Sequence, residues 1–283
     1  SKKFIFPLKC PSCGSKTIKD YNEITKRQDA VRRCASEGFE CEKIAIERIK
    51  HFVSKDAFNI EGFGKKIVEN FWNLKLVRLP QDIFKLNYNK IEEFEGWGKL
   101  SVKNLKFSIK KKITISLDRF IYALGIRHIG QENAKLIAKH LKTADNFFKL
   151  SKNKNIEILS NIDGIGNTQI QSIKKFFLNK TNLDVLFELR KKLKIQNMIL
   201  INDKGLLNNK TFMLTGKLNG ISRAEAKSLI EQNSGKIISN VNKKLNYLIA
   251  GEKPTIKKIN TARELNIKII DQKELLKMLN KTG

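Results

Sequence analysis

The chain has 283 residues, of which 56 are lysine or arginine and 28 are aspartate or glutamate, so its formal net charge is +28. This length accommodates two or three domains, and a hydrophobic share of 41% suffices for real cores. No run of 18 apolar residues occurs, which excludes a membrane-spanning helix, and the basic excess favours a polyanionic partner such as nucleic acid.

All four cysteines lie near the start of the chain, at Cys10, Cys13, Cys34 and Cys41. Four thiolates suit a closed tetrahedral zinc site with a structural role. A disulfide pair and a thioredoxin-like redox site are the alternatives; a cytosolic setting disfavours the first, and the lack of a βαβ pattern nearby disfavours the second. We therefore predict a zinc-stapled finger, because a segment of about 40 residues hardly folds without such a staple.

A five-residue pattern with glycine at its third and fifth positions recurs through the middle of the chain. It occurs as Ile60-Glu61-Gly62-Phe63-Gly64, Phe94-Glu95-Gly96-Trp97-Gly98 and Ile162-Asp163-Gly164-Ile165-Gly166, with a degenerate copy, Ile126-Arg127-His128-Ile129-Gly130. Apolar residues follow each copy at the spacing of one helix face, as in Val102, Leu105 and Ile109. Each unit is therefore predicted to be a tight turn that leads into a helix, and the units must stack to bury their apolar faces.

A glycine turn at a helix N-terminus is suited to phosphate. The first amides of a helix have no intrahelical partners and carry partial positive charge, and glycine lets a ligand approach the backbone. Four such turns in one array favour a polymer over a single nucleotide. The alternative is that the glycines merely end one helix and begin the next.

The repeated unit resembles the helix-hairpin-helix motif, whose family holds the DNA backbone across the minor groove without reading sequence. The resemblance implies that hairpin amides and neighbouring cations contact phosphate. The residues concerned are Gly62, Gly64, Lys65, Gly96, Gly98, Lys99, Arg127, His128, Gly130, Gly164 and Gly166. Because His128 replaces a glycine, the third copy is expected to bind phosphate weakly or through the side chains of Arg127 and His128.

After residue 205, short apolar strands alternate with helices, which predicts a small parallel sheet. Strands are predicted at 211–214, 236–239, 247–250 and 268–270, and helices at 222–233, with Gly235 as C-cap, at 256–265, and after a cap at Asp271. The segment 197–201 is interpreted as a linker or a packing strand.

This order of elements, with Thr215-Gly216 after the first strand, resembles the BRCT domain. Phosphate-binding members of that family use these two positions and a lysine of the second helix, which implies Thr215, Gly216 and Lys258 here, with Arg223 as an addition. The alternative is that Thr215-Gly216 is only a turn and that the domain binds no phosphate.

Phe6-Pro7, Cys10-Pro11-Ser12-Cys13-Gly14, Arg33-Cys34 and the segment from His51 to Gly62 resemble the zinc-finger start and the first hairpin motif of bacterial NAD-dependent DNA ligase. Together, the three resemblances cover nearly the whole chain in the order of that family's C-terminal half. The implied fold class is multidomain. It comprises a four-cysteine zinc finger (1–50), an all-α helix-hairpin-helix domain with four motifs (51–200), and a small α/β BRCT domain with a parallel four-stranded sheet (205–283). The cysteine gaps and the Cys41-Glu42-Lys43 sequence depart from the family pattern, which concerns the shape of the finger more than its metal.

The resemblance implies sequence-independent binding of duplex or nicked DNA within an enzyme that joins 5′-phosphate to 3′-hydroxyl in DNA replication and repair. No Lys-x-Asp-Gly tetrapeptide occurs, so this chain alone is expected to be inactive, with Zn²⁺ bound inside it and NAD and Mg²⁺ bound outside it. We expect a cytoplasmic, nucleoid-associated monomer without membrane contact and with a protein partner for the BRCT domain. The alternatives are a non-catalytic DNA-repair scaffold whose BRCT domain docks proteins, and an RNA-associated zinc protein with purely structural glycine turns.

Overall fold

The structure, a computed structural model, describes residues 6–22, 26–198 and 205–279. Most of the predicted linker or strand at 197–201 lies outside these ranges. In the described ranges, no helix has both the length and the apolar character needed to cross a bilayer.

The described chain forms twelve α-helices, ten short strands and two 3₁₀ segments. The helices are α1 (Glu42–Val53), α2 (Lys65–Asn73), α3 (Tyr88–Glu92), α4 (Lys99–Lys111), α5 (Leu117–Ala123), α6 (Gln131–Leu141), α7 (Ala144–Lys149), α8 (Asn167–Leu178), α9 (Lys180–Lys192), α10 (Arg223–Gln232), α11 (Ile256–Glu264) and α12 (Gln272–Leu279). The strands are β1 (Thr17–Ile18), β2 (Tyr21–Asn22), β3 (Arg27–Gln28), β4 (Arg33–Cys34), β5 (Thr114–Ser116), β6 (Lys194–Gln196), β7 (Thr211–Thr215), β8 (Lys236–Ile237), β9 (Tyr247–Ala250) and β10 (Lys268–Ile270). The 3₁₀ segments are Pro80–Lys85 and Asn153–Asn161.

The first part of the chain, which we call the cysteine module (residues 6–41), has almost no hydrophobic core. Strand β1 pairs antiparallel with β4, and β2 with β3. Among its described residues only Cys41 is buried, at 1% exposure, whereas Leu8 and Tyr21 are 67% and 58% exposed. Burial of apolar surface therefore contributes little to the stability of this module.

Helices α1 to α9 form the helical domain around one continuous core that runs from Ala45 to Leu189. The apolar positions of the repeat supply much of this core: Val102, Leu105 and Ile109 are each only 3% exposed. Helix α1 spans the predicted domain boundary at residue 50 and packs its buried face into this core. Strands β5 and β6 pair in parallel and close the domain, a pairing that the sequence analysis did not predict.

The last part of the chain, the α/β domain (residues 205–279), contains the predicted four-stranded parallel sheet, in the order β10-β9-β7-β8. Alternate residues of β7 face opposite sides, so Phe212 and Leu214 join one core cluster and Met213 joins another. The predicted multidomain fold class, with an all-α domain followed by an α/β domain that has a parallel four-stranded sheet, is thus confirmed.

Two details of the α/β domain differ from the prediction. Strand β8 ends at Ile237 rather than at 239. The left-handed residue after α10 is Ser234, with φ +68°, and not Gly235. Gly235 is instead required for close packing, since a Cβ there would lie 2.6 Å from Cγ2 of Ile230.

The α/β domain contacts the helical domain through the carboxylate of Glu225 on α10. Lys112 forms an ion pair with it, Nη1 of Arg119 lies 3.3 Å from its Oε1, and Nδ2 of Asn59 donates to its Oε2 at 2.9 Å. Burial alone raises the pKa of Glu225, but the hydrogen bond from Lys112, the backbone N–H of Ser222 and the charge of Arg119 together bring it below its ordinary value. A second ion pair joins Lys135 to Glu231. The contact is therefore electrostatic.

We expect Glu225→Gln to release the α/β domain from the helical domain. Glutamine preserves the capping box that Glu225 forms with Ser222, so α10 should persist while the charge that pairs with Lys112 and Arg119 is lost. Small-angle X-ray scattering should show a larger radius of gyration for this variant. Because the folded pKa is depressed, the wild-type contact should hold at neutral pH and weaken as pH falls below the ordinary glutamate value of 4.5.

The matched control is Glu264→Gln, which removes the same charge from an exposed position on α11. Equal radii of gyration for the Glu225 variant and the wild type would show that the ion pairs do not hold the two domains together.

Candidate nucleic-acid interface

The four repeat copies form hairpin turns (60–64, 94–98, 126–130 and 162–166) that share one backbone conformation. In each copy the amide of the fourth residue donates to the carbonyl of the first, as from Phe63 to Ile60 at 3.2 Å and from Ile165 to Ile162 at 3.0 Å. The third residue is left-handed in all four, with φ of +76°, +82°, +61° and +87°. A turn of this type requires a left-handed third residue, which explains the first glycine of copies one, two and four.

His128 holds the same left-handed conformation without a glycine's freedom. Its φ is +61°, and its carbonyl accepts a hydrogen bond from Nδ2 of Asn133 at 3.1 Å. The third copy therefore keeps the turn despite the strain that a non-glycine residue bears there.

The second glycine of each copy is the N-cap of the helix that follows. Gly64, Gly98 and Gly130 have φ of −75°, −105° and −79°, values that any residue can adopt. All three are exposed, and a Cβ added at any of them would meet nothing within 4 Å. The fold thus gives no reason for glycine at these positions, whereas close approach of a ligand to the backbone does.

An inward-facing apolar residue at the fourth position of each turn keeps the glycines at the surface; it is buried in turns one, three and four, and Trp97 of turn two is half-buried against the core. Phe63, Ile129 and Ile165 are 1%, 5% and 6% exposed. Phe63 packs edge-on against Phe71, with ring centroids 5.4 Å apart. Since the apolar residue of each turn lies inward, the flanking amides are left at the solvent side.

The turns differ in the side chains at the first helical position. Lys65 and Lys99 begin α2 and α4 and are exposed, whereas Gln131 and Asn167 begin α6 and α8. Turns one and two therefore combine free amides with a cation, and turns three and four offer amides with neutral side chains.

Two side chains that the sequence analysis did not identify accept hydrogen bonds from N-cap amides at the helix starts. The hydroxyl of Ser101 accepts from the N–H of Gly98 at 3.0 Å, and Oε1 of Gln169 accepts from the N–H of Gly166 at 3.2 Å. The capping-box spacing of these residues from the N-cap was the signal for them. The amides of the next two residues in each helix stay without intrahelical partners.

Arg127, predicted to lie near phosphate, is engaged elsewhere. It forms an ion pair with Asp20 of the cysteine module, and Nη1 of Arg33 lies 3.5 Å from the same carboxylate. Burial, followed by the like charges of Arg127 and Arg33, lowers the pKa of His128, so its imidazole is neutral at pH 7. The third turn therefore meets the cysteine module through its side chains.

The four cysteines lie together, with their sulfur atoms all within 4.8 Å of one another. Sγ of Cys13 lies 3.4 Å from Sγ of Cys34, and Sγ of Cys10 lies 4.0 Å from Sγ of Cys41. A Zn–S distance of about 2.3 Å implies an S–S edge of about 3.8 Å in a tetrahedron, so this arrangement fits a metal and is too wide for disulfides. Hydrogen bonds with Ser15 and Ser36 lower the pKa of Cys13 to about 5, which favours the thiolate.

In the α/β domain, Thr215 and Gly216 are placed by packing. Thr215 is 1% exposed, and its hydroxyl accepts from the N–H of Thr255 at 3.1 Å. A Cβ at Gly216 would lie 2.6 Å from the carbonyl oxygen of Glu252. Arg223 donates to the carbonyl of Gly216 at 3.3 Å, and Lys258 is half-buried in the first turn of α11. These contacts favour the interpretation of Thr215-Gly216 as a structural turn.

Comparison with known families gives a match in the helical domain and another in the α/β domain. A family model described as the helix-hairpin-helix motif matches residues 119–186, which contain turns three and four. A second, described as the BRCA1 C Terminus (BRCT) domain, matches residues 202–279, which include the α/β domain. The chain thus contains a region that matches the helix-hairpin-helix motif and a BRCT domain.

Curated relatives extend this similarity over the whole chain. A DNA ligase of Pelagibacter ubique is 87% identical over 283 residues, which cover 100% of this chain and 42% of the relative. A DNA ligase of Wolbachia pipientis is 39% identical over 96% of this chain and 41% of the relative, and one of Rickettsia bellii is 40% identical over 96% and 40%. The chain thus spans about two fifths of the length of these relatives. The two domains, the cysteine cluster and the relatives support its identification as the C-terminal part of a DNA ligase.

We expect the double variant Gly64→Ala/Gly98→Ala to lose affinity for duplex DNA without losing stability. Both positions have φ that alanine adopts and open space for its methyl group, so only an approaching ligand should meet the new Cβ atoms. Loss of one charge-assisted hydrogen bond, of about 1.5–3 kcal/mol, predicts a decrease of at least roughly tenfold. Fluorescence anisotropy gives the affinity and thermal unfolding gives the stability.

Gly130→Ala is the internal comparison, since it makes the same change in the turn whose side chains meet the cysteine module. Its effect on affinity should be smaller. Unchanged affinity of the double variant would mean that these amides do not bind the DNA backbone.

Proposed function

We propose that this chain binds nicked duplex DNA by its backbone, without reading sequence, as part of an NAD-dependent DNA ligase. The observation that carries the proposal is the set of exposed turns with one backbone conformation, three of which have an N-cap glycine that packing does not require. Main-chain amides at helix N-termini bind phosphate whatever the base, so the interaction is independent of sequence.

The residues proposed to contact the backbone differ between the turns. In turns one and two they are the amides of both helix starts with Lys65 and Lys99 beside them. In turn four they are the amides around Gly164 and Gly166. The third turn contributes the amides after Gly130, while Arg127 and His128 face the cysteine module.

Such a surface would serve ligation by positioning. Binding the duplex on both sides of a nick holds the 5′-phosphate and the 3′-hydroxyl in line. The joining of the two ends then becomes an effectively unimolecular step. The relatives named DNA ligase support a role in nick sealing. We propose in addition, from the sequence resemblance alone, that this sealing serves DNA replication and repair and that NAD and Mg²⁺ are bound by parts of the enzyme outside this chain. By itself the chain is proposed to be inactive, monomeric and cytoplasmic, and its BRCT domain is proposed to take a protein partner.

We further propose that the cysteine cluster holds a structural Zn²⁺, with Cys10, Cys13, Cys34 and Cys41 as its ligands. The sulfur geometry supports this, as does the lack of buried apolar side chains among the described residues before Cys41. A closed set of four thiolates leaves no position for substrate, so the ion would stabilise the module.

Metal analysis of the purified chain should give one zinc per molecule. Chelation should remove the dispersed amide signals of the cysteine module while the helical signal in circular dichroism persists, because the core of α1 to α9 is independent of the cysteines. A metal-free chain with an ordered module would contradict the zinc proposal.

Salt dependence tests the DNA-binding proposal. Affinity for a nicked duplex should fall steeply with salt, with a log–log slope of about −0.9 for each neutralised phosphate. Lys65→Ala/Lys99→Ala should make this slope shallower by about 2 units, one for each lost phosphate contact. The measurement is a series of anisotropy titrations at increasing KCl.

Lys273→Ala/Lys277→Ala is the matched control, since it removes two exposed lysines from α12 of the BRCT domain. Its slope should equal that of the wild type. A flat salt response of the wild type, or the same change in both double variants, would contradict the proposed interface.

A further inference from the structure

A cleft of about 970 Å³ lies between the cysteine module and the second half of the helical domain. On the cysteine-module side its lining includes Ile18, Tyr21 and Arg33. On the other side it includes Arg127 and His128 of the third turn and the first residues of α8. The cleft therefore adjoins the hairpin turns but has a second wall of its own.

The lining of the cleft favours an anion. Among the described residues it contains four basic side chains, Arg33, Arg48, Arg127 and Lys175, and two acidic ones, Asp20 and Glu37. The carboxylate of Asp20 is already paired with Arg127 and lies near Arg33. Arg33 also pairs with Asp29 at 2.6 Å, and Lys175 is exposed. With four basic and two acidic side chains in its lining, the cleft is net positive and attracts a polyanion.

One wall also presents an aromatic ring. Tyr21 on β2 is 58% exposed, and Ile18 on β1 is 44% exposed. Burial in the core does not explain the exposed face of the ring of Tyr21. An exposed aromatic ring beside cations is the combination by which proteins bind unpaired bases, with stacking on the ring and phosphates along the charged wall.

The size of the cleft decides which form of nucleic acid enters it. Its volume lies at the upper end of the range for ligand pockets, about 300–1,000 Å³. Duplex DNA, whose major groove alone is about 12 Å wide, is too large for such a space, whereas an unpaired strand of a few nucleotides fits.

We propose that this cleft binds a short single-stranded segment of DNA, with a base stacked on Tyr21 and its phosphates beside Arg33 and Lys175. The site shares the first residues of α8 with the duplex surface of the proposed function and differs from it by the wall that carries Tyr21. It would hold an unpaired end next to the duplex that the hairpin turns bind.

The test compares two probes on the full zinc-loaded chain: a fluorescein-labelled twelve-residue oligothymidylate and a nicked duplex. Tyr21→Ala should weaken oligothymidylate binding by roughly 5- to 100-fold, the range for loss of one base–aromatic stack, and Tyr21→Phe should bind as the wild type does. Affinity for the nicked duplex should stay within about twofold in both variants, because Tyr21 lies outside the hairpin turns. Phe107→Ala is the control, since it removes an aromatic ring that is 57% exposed on α4, outside the cleft.

A second variant, on the opposite wall of the cleft, keeps the proposal testable if Tyr21→Ala loses its zinc. Lys175→Gln on α8 should weaken oligothymidylate binding and make its salt slope shallower by about 1 unit, with duplex affinity unchanged.

The proposal is overturned if oligothymidylate does not bind, if zinc-loaded Tyr21→Ala binds both probes as the wild type does, or if zinc-loaded Tyr21→Ala loses affinity for both probes equally. Tighter binding of oligouridylate than of oligothymidylate would overturn the assignment to DNA. Loss of duplex binding with intact oligothymidylate binding would instead count against the proposed function alone.

Discussion

The exposed amide groups at the starts of α2, α4, α6 and α8 are the feature on which the rest of the account depends. An amide can bind phosphate only when it lacks an intramolecular partner, points to solvent and is not shielded by a side chain. The turn before each helix meets these conditions through a left-handed third residue, a fourth residue that packs inward and an exposed glycine. Because the first two conditions are properties of the fold, only the glycine itself requires a ligand to explain it.

The degenerate copy of the repeat joins the parts of the molecule. Arg127 in its turn pairs with Asp20 of the cysteine module, and Lys135 on its helix pairs with Glu231 of the BRCT domain. Arg119, on the helix before the turn, lies beside Glu225. The side chains of this repeat unit thus serve contacts between the parts of the molecule, while His128 keeps the left-handed turn that glycine makes in the other copies.

Arg48 of α1 makes a similar connection in the interior. Its guanidinium donates to the carbonyl of Gly38 at 2.7 Å, to Oδ1 of Asn182 at 3.0 Å and to the carbonyl of Leu124 at 3.3 Å. Burial lowers the pKa of Arg48 to about 10, and it remains charged at neutral pH. One cation thus ties the cysteine module to both halves of the helical domain, and this arrangement forms the floor of the cleft.

Local patterns predicted the helices and turns well, because helical spacing and glycine positions act over a few residues. The apolar stripe of α4 and the parallel sheet of the BRCT domain are examples. Contacts between distant residues were not predictable in this way: Arg127 and Asp20 are 107 positions apart, and Lys112 and Glu225 are 113 apart. The sequence identifies a residue as basic, but it does not tell whether the folded chain places a carboxylate beside that residue or leaves it for a phosphate. The backbone conformation of Ser234 was not predictable from local sequence either. Ser234 takes the left-handed conformation, while the neighbouring Gly235 is required by packing.

The most direct measurement is a titration of the isotope-labelled chain with nicked duplex, followed by the amide resonances in ¹H–¹⁵N spectra. If bare main-chain amides bind the DNA backbone, the largest shifts will fall on the first residues of α2, α4 and α8, with the N–H protons moving downfield as they donate to phosphate. Shifts spread over exposed lysine-rich faces, with the hairpin amides unmoved, would contradict the account.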